Sequence, residues 1–200
     1  MKLFGLTRGE ALTIVVTLLA VGAATYFNLQ ISFQRARDTQ RKNDIRTLHT
    51  ALTQYQIDFA SFPQSRDGNI FACASDELNE EGLPKYRVCA WRDDTFRDIF
   101  DLSYPPYLQS LPADPLEKKG GEYLYISTGR HFQVFTALEG SDEPEYNPII
   151  AARGLSCGNK ICNYGLGDGN TPLDKTIEEY ENELQEEQMR RLKEEGLLDK

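Results

Sequence analysis

From Ala11 to Gln34 the chain carries no charged side chain. A helix of those 24 residues rises roughly 36 Å, enough to cross a hydrocarbon core of about 30 Å. The first part, "ALTIVVTLLAVGAA", is strongly apolar, and the second, "TYFNLQISF", is mixed. One acid, Glu10, stands at the lip of the run. No small-residue cleavage site is followed by a structural break, and the first proline is Pro63. The segment therefore reads as an anchor rather than as a removed secretory signal.

The helical pattern continues beyond the apolar run. Ile45, Leu48, Leu52, Tyr55 and Phe59 recur at steps of three and four, which makes one apolar stripe. Arg46, Thr50, Gln54 and Asp58 fall off that stripe and are expected to face away. No glycine occurs between Gly22 and Gly68. One continuous helix is expected from about Gly9 to about Ala60, apolar all round in its first half and amphipathic in its second.

Charge and cysteines bound the remainder. Residues 1–50 hold seven Lys and Arg against three acids, so a total of −9 leaves −13 on the rest. A net-negative body argues against bulk nucleic-acid binding, which needs cations along a phosphate track. The basic stretch 35–46, with Arg37, Arg41 and Arg46, is the exception. Cys73, Cys89, Cys157 and Cys162 lie in Gly- and Pro-punctuated surroundings, which suits disulfides in an oxidising compartment. Free thiols and a zinc site are the competing readings, although the spacings lack close ligand pairs. Local pairing, Cys73–Cys89 and Cys157–Cys162, is the expected connectivity of the three.

The rest of the chain reads as a compact α+β piece. A long loop over 64–92, closed by the first cysteine pair, is expected, then a short helix in "DDTFRDIFDL" and an irregular "SYPPYLQSLPADPL". "EYLYIS", "TGRH" and "FQVFTALE" predict strand, turn and strand, and "NPIIAARG" a third strand. Thr171 as N-cap, with Pro172 and Asp174 behind it, predicts the start of a charge-rich C-terminal helix. Its apolar stripe of Ile177, Tyr180 and Leu184 lapses at Gln188, so it reads as a solvated extension or a partner-docking helix.

No catalytic signature is present: no G-x-S-x-G, no P-loop, no H-E-x-x-H and no Cys–His arrangement. His49, on the long helix, and His131, after the hairpin turn, are the only histidines. No enzymatic activity is expected. Trp91 is expected to pack near the Cys89 loop.

The layout resembles the type IV pilin and type II secretion pseudopilin family. A short basic leader ends in Gly5, Leu6 follows, Thr7 fits the usual second mature position, and Glu10 is the fifth residue counted from Leu6. "ARDTQRKNDIRTLHTALTQYQIDFASFP" is similar to the amphipathic half of the family's helix, and "YLQSLPADPLEKKGGEYLYIS" to its entry into the sheet. Together these cover roughly residues 1–140. The chain departs from the family at Arg8 and Gly9, where apolar residues are usual, and lacks a proline late in the span.

The resemblance implies a long N-terminal helix packed on a small antiparallel sheet, in five parts. These are a leader (1–5), a membrane or filament-core half of the helix (6–34), its amphipathic half (35–62), an extracytoplasmic α+β domain (63–170) and a charged helical extension (171–200). It implies cleavage between Gly5 and Leu6 by prepilin peptidase, methylation of the new N-terminus, and a membrane assembly platform as partner. It also implies polymerisation with copies of itself or with related pilins. Glu10 would then pair with a mature N-terminal amine as subunits pack, which offsets the cost of a buried carboxylate in lipid, about 2.5–3.5 kcal/mol. The alternative for Glu10 is a place in the headgroup layer beside Arg8. Charge counting by the positive-inside rule would put the C-terminal side in the cytoplasm; the cysteines and the resemblance put it outside. Arg37, Arg41 and Arg46 are then candidate contacts between subunits, with DNA or an anionic surface as the alternative. No cofactor is expected. Glu139, Asp142, Glu143 and Glu145, or Asp168 and Asn170, could supply oxygens to calcium, but neither set has EF-hand spacing.

Overall fold

A computed structural model describes residues 7–195. Helix α1 spans Arg8–Phe59, 52 residues without a break. Thr7 is its N-cap and Ala60, in the left-handed region at φ 55°, ends it. The expected cleavage point Gly5–Leu6 lies outside the described residues, as do the last five residues of the charged extension.

The second half of α1 packs as its stripe dictates. Ile45, Leu48, Ala51, Leu52 and Tyr55 are buried, whereas Arg46, Thr50, Gln54 and Asp58 are exposed. Facing the stripe is an antiparallel sheet of three strands: β4 (Leu124–Ser127), β5 (Phe132–Thr136) and β8 (Tyr164–Gly167), with β5 central. β1 (Gln64–Arg66), β2 (Asn69–Leu78) and β3 (Pro84–Val88) form a second antiparallel sheet in sequence order. β6 (Ser156–Cys157) and β7 (Lys160–Ile161) make a small ribbon. The layout is thus α+β, a long helix on small antiparallel sheets.

Every residue of β5 is buried, because the strand has a core on both faces. Phe132 and Val134 join the α1 stripe, Tyr123, Tyr125 and Phe62. Phe135 meets Ile150, Cys157 and Cys162 on the other side. β8 is a strand made partly of glycine. A Cβ on Gly165 would lie 2.5 Å from the Phe135 ring, so the close approach of β8 to β5 requires glycine there.

Four expectations are corrected. Residues 64–92 are not one loop but the β1–β2–β3 sheet. A register shift between Phe71 and Cys73 buries Ala72 and Cys73 side by side, which breaks the period-two signal. "DDTFRDIFDL" forms no helix. Its Asp side chains take backbone N–H groups instead, Asp98 from Phe100 and Asp101 from Ser103. "NPIIAARG" is not a strand: α2 (Pro148–Ala152) is capped by Asn147, with Pro148 at its first position. The last helix, α3 (Ile177–Glu194), is capped five residues later than Thr171, at Thr176. Thr176 and Glu179 form its capping box, while Thr171 bonds Asp168 and His131.

Both local disulfides are present, Cys73–Cys89 joining β2 to the end of β3 and Cys157–Cys162 closing the β6–β7 ribbon. Trp91 lies beside the first, its Nε1 donating to Asn69 Oδ1 and its ring meeting Tyr123 edge-on.

Candidate functional site

The first half of α1 has no cover from the rest of the chain. Leu12, Leu18, Leu19 and Phe27 are each 66–68% exposed. Five of the polar side chains in this half fold back on the helix. The hydroxyls of Thr13, Thr17, Thr25 and Ser32 each donate to the carbonyl four residues earlier, at 2.9 Å, and the Asn28 amide does so at 3.0 Å. Such groups need no water, so the cylinder around them presents a surface that lipid or another apolar helix can cover. This helix, near the N-terminus, is long and apolar enough to span a membrane.

Glu10 sits at the start of that cylinder and already has partners. The Thr7 backbone N–H donates to its Oε2 at 2.7 Å, and the Thr7 hydroxyl donates to the same oxygen at 2.9 Å. The Glu10 N–H in turn donates to Thr7 Oγ1. Thr7 and Glu10 thus form a capping box that satisfies N–H groups at the open end of α1.

Where α1 enters the domain, the basic stretch meets acids of its own chain. Arg41 is 1% exposed. Its Nε and Nη2 donate to Asp114 at 2.7 and 3.0 Å, and its Nη1 donates to Asp38 and Glu139 at 2.8 and 2.7 Å. Asp38 also accepts from the backbone N–H groups of Glu139 and Gly140. Arg37 grips Glu139 with two bonds of 2.7 Å. Lys42 reaches Glu143 and Glu145, Arg46 reaches Glu145, and Arg35 reaches Asp142. The acidic loop after β5 therefore lies along the basic face of α1.

This placement corrects the reading of Arg41 as a surface contact, since it is a buried structural residue. Arg37 is half-buried and paired, and Arg46 stays exposed beside its acid. The four carboxylates considered for calcium are taken by Arg and Lys. Asp168 accepts from the Phe132 N–H and lies 2.9 Å from His131 Nδ1, while Asn170 is exposed. Among the described residues no three His, Cys, Asp or Glu side chains gather for a metal ion. Of the two central acids of the junction, Asp38 is legible as a charge among the cations of the basic stretch, and Asp114 is not. Asp114 lies inside the "LPADPL" motif, but nothing local names Arg41 as its partner, 73 residues away.

Electrostatics follow from these contacts. Burial works against the Arg41 charge, yet the hydrogen bonds it donates to Asp114, Glu139 and Asp38 outweigh it and hold the guanidinium protonated. The Arg37 and Arg41 hydrogen bonds pull the Glu139 carboxyl down from 4.5 to about 2, against the effect of burial. Burial raises Asp44, with the Tyr123 hydroxyl, 2.6 Å away, pulling the other way.

Comparison with protein families, curated proteins and solved structures finds no match. The functional reading therefore rests on the chain itself.

Proposed function

We propose that this chain is a structural subunit of a type IV pilus or a type II secretion pseudopilus. It inserts with its N-terminus in the cytoplasm and its α+β domain outside. Prepilin peptidase cuts between Gly5 and Leu6, the new N-terminus is methylated, and α1 then exchanges lipid for copies of itself or of related pilins. The observation that carries this reading is the bare first half of α1, an apolar cylinder continuous with a helix locked into a disulfide-bonded domain. In this reading the carboxylate at its lip exchanges its Thr7 partners for the amine at the end of a neighbouring chain. Binding of nucleic acid is not part of the proposal, because the basic stretch is neutralised by the acidic loop.

A second reading has an observation of its own. Glu10 is satisfied within one copy by Thr7, as expected of an uncut single-pass anchor that carries a binding domain and never polymerises. Intact-mass and N-terminal analysis of membrane-extracted protein separates the two. N-methyl-Leu6, with loss of fibres in Glu10→Ala, is the outcome expected here. A chain that begins at Met1 and ignores Glu10→Ala supports the plain anchor instead.

A further inference from the structure

Two surface patches of opposite charge, one of lysines and one of glutamates, stand apart along the axis of α1. The end nearest the apolar half holds Arg37, Arg41 and their acids. Asp114 brings the turn Glu117–Lys119 to that end, and Tyr123 follows at the level of Asp44. Gly120 packs on the Gly158–Asn159 turn, and the Asn159 amide donates to the Lys119 carbonyl, which puts Lys160 on the neighbouring ribbon. Among the described residues Lys118, Lys119 and Lys160 have no carboxylate within ion-pair distance.

The other end carries α3. The turn after β4 meets the end of α1, the Phe62 N–H donating to the Gly129 carbonyl at 2.8 Å. α3 is fixed to that turn: Arg130 and Thr128 bond Glu181, His131 meets the Tyr180 ring edge-on, and Ile177 is buried. From Glu178 to Glu187 the helix has six glutamates and no Lys or Arg. Arg41 and Phe59 mark the two ends, about 27 Å apart at 1.5 Å per helical residue.

We propose that the acidic first part of α3 on one copy seats on Lys118, Lys119 and Lys160 of the next copy. The proposal rests on the filament reading. Copies stacked in one orientation bring the far end of each domain to the near end of its neighbour. Two different, complementary patches on one chain make a head-to-tail contact, which repeats without closing when the rotation between copies does not form a ring. The opposite charges also steer docking and fix its register, and salt weakens them. Glu178 and Glu186 are exposed and free of ion pairs among the described residues, so they are the carboxylates most available to a neighbour.

The test uses fibres of the full chain, treated with a zero-length carbodiimide and analysed by peptide mass spectrometry. Links joining Glu178 or Glu186 to Lys118, Lys119 or Lys160 are expected, and fibres grown from a mixture of light and heavy isotope-labelled chains should show them joining two copies. Two charge variants extend the test, Lys118→Glu with Lys119→Glu and Lys160→Glu, and Glu178→Lys with Glu186→Lys. Each set is expected to lose most pelletable fibre while keeping the thermal midpoint of the unaltered chain, and the two sets combined in one chain are expected to restore it. Fibres that form without these links, at a yield indifferent to both sets, overturn the contact and leave the filament reading standing. An unaltered chain that forms neither fibres nor links in its native membrane overturns both.

Discussion

At the scale of single residues, Arg41 is the most constrained side chain. It is buried with three carboxylates, and removing one partner of a buried ion pair leaves the others without compensation, at a cost of about 3–5 kcal/mol. Arg41→Leu should lower the unfolding free energy of the detergent-solubilised chain by that order, read as a lower denaturation midpoint. Arg35→Leu, whose pair with Asp142 is exposed on both sides, should not move it measurably. Glu139 supplies a pH dependence with a definite sign. Arg37 and Arg41 hold its carboxyl at about 2 in the fold against an ordinary 4.5, so the unfolded chain takes up the proton more readily. The stabilisation is complete above pH 4.5 and fades as the pH falls towards about 2. Urea midpoints measured across that window should fall, and Glu139→Gln should flatten the slope. An unchanged slope in the variant would place the acid sensitivity elsewhere.

At the scale of elements, the two disulfides close loops of different size. The first joins residues 16 apart and the second residues 5 apart. Loop-closure entropy gives about 3 kcal/mol for the first and about 2 kcal/mol for the second. Paired Cys→Ser substitutions should therefore lower the thermal midpoint more for Cys73–Cys89 than for Cys157–Cys162; the reverse order would show that the ribbon's packing on Gly120 dominates. Elements that speak through repetition were legible in the sequence. The stripe from Ile45 to Tyr55 and the β4–β5 hairpin stand where periodicity puts them, and the cysteines pair locally. Elements that depend on a distant partner were not legible. β8 is half glycine, because Phe135 leaves no room for a side chain at Gly165 and the Thr171 carbonyl little at Gly167. β2 hides its alternation behind a shifted register. α2 reads as a strand because its five residues are too few to show a helical period, although Asn147–Pro148 spells out a cap, and α3 reads as starting early because Thr171–Pro172 resembles a cap as much as Thr176–Glu179 does. The junction escaped for the same reason as β8: a charge on a helix does not announce which loop will neutralise it.

At the scale of the whole molecule, the chain divides into a bare apolar cylinder and a domain whose buried residues begin at Asp38. A chain starting at Arg35 keeps the ion cluster and both cores, and should stay monomeric in water by light scattering, with the cooperative unfolding of the parent domain. Aggregation of that truncated chain would mean that the domain itself exposes an apolar face needing cover. The full chain should instead partition into the membrane fraction. α1 has no hinge between these two parts. It extends about 78 Å at 1.5 Å per residue, and Arg41 clamps it to the domain about 48 Å from its Gly9 end. A rod held so far from its tip is a lever. Tilting the domain by about 10° around that clamp swings the tip by roughly 8 Å, close to the spacing of packed helices. A small push on the domain is thereby geared up into a full lateral step at the opposite end.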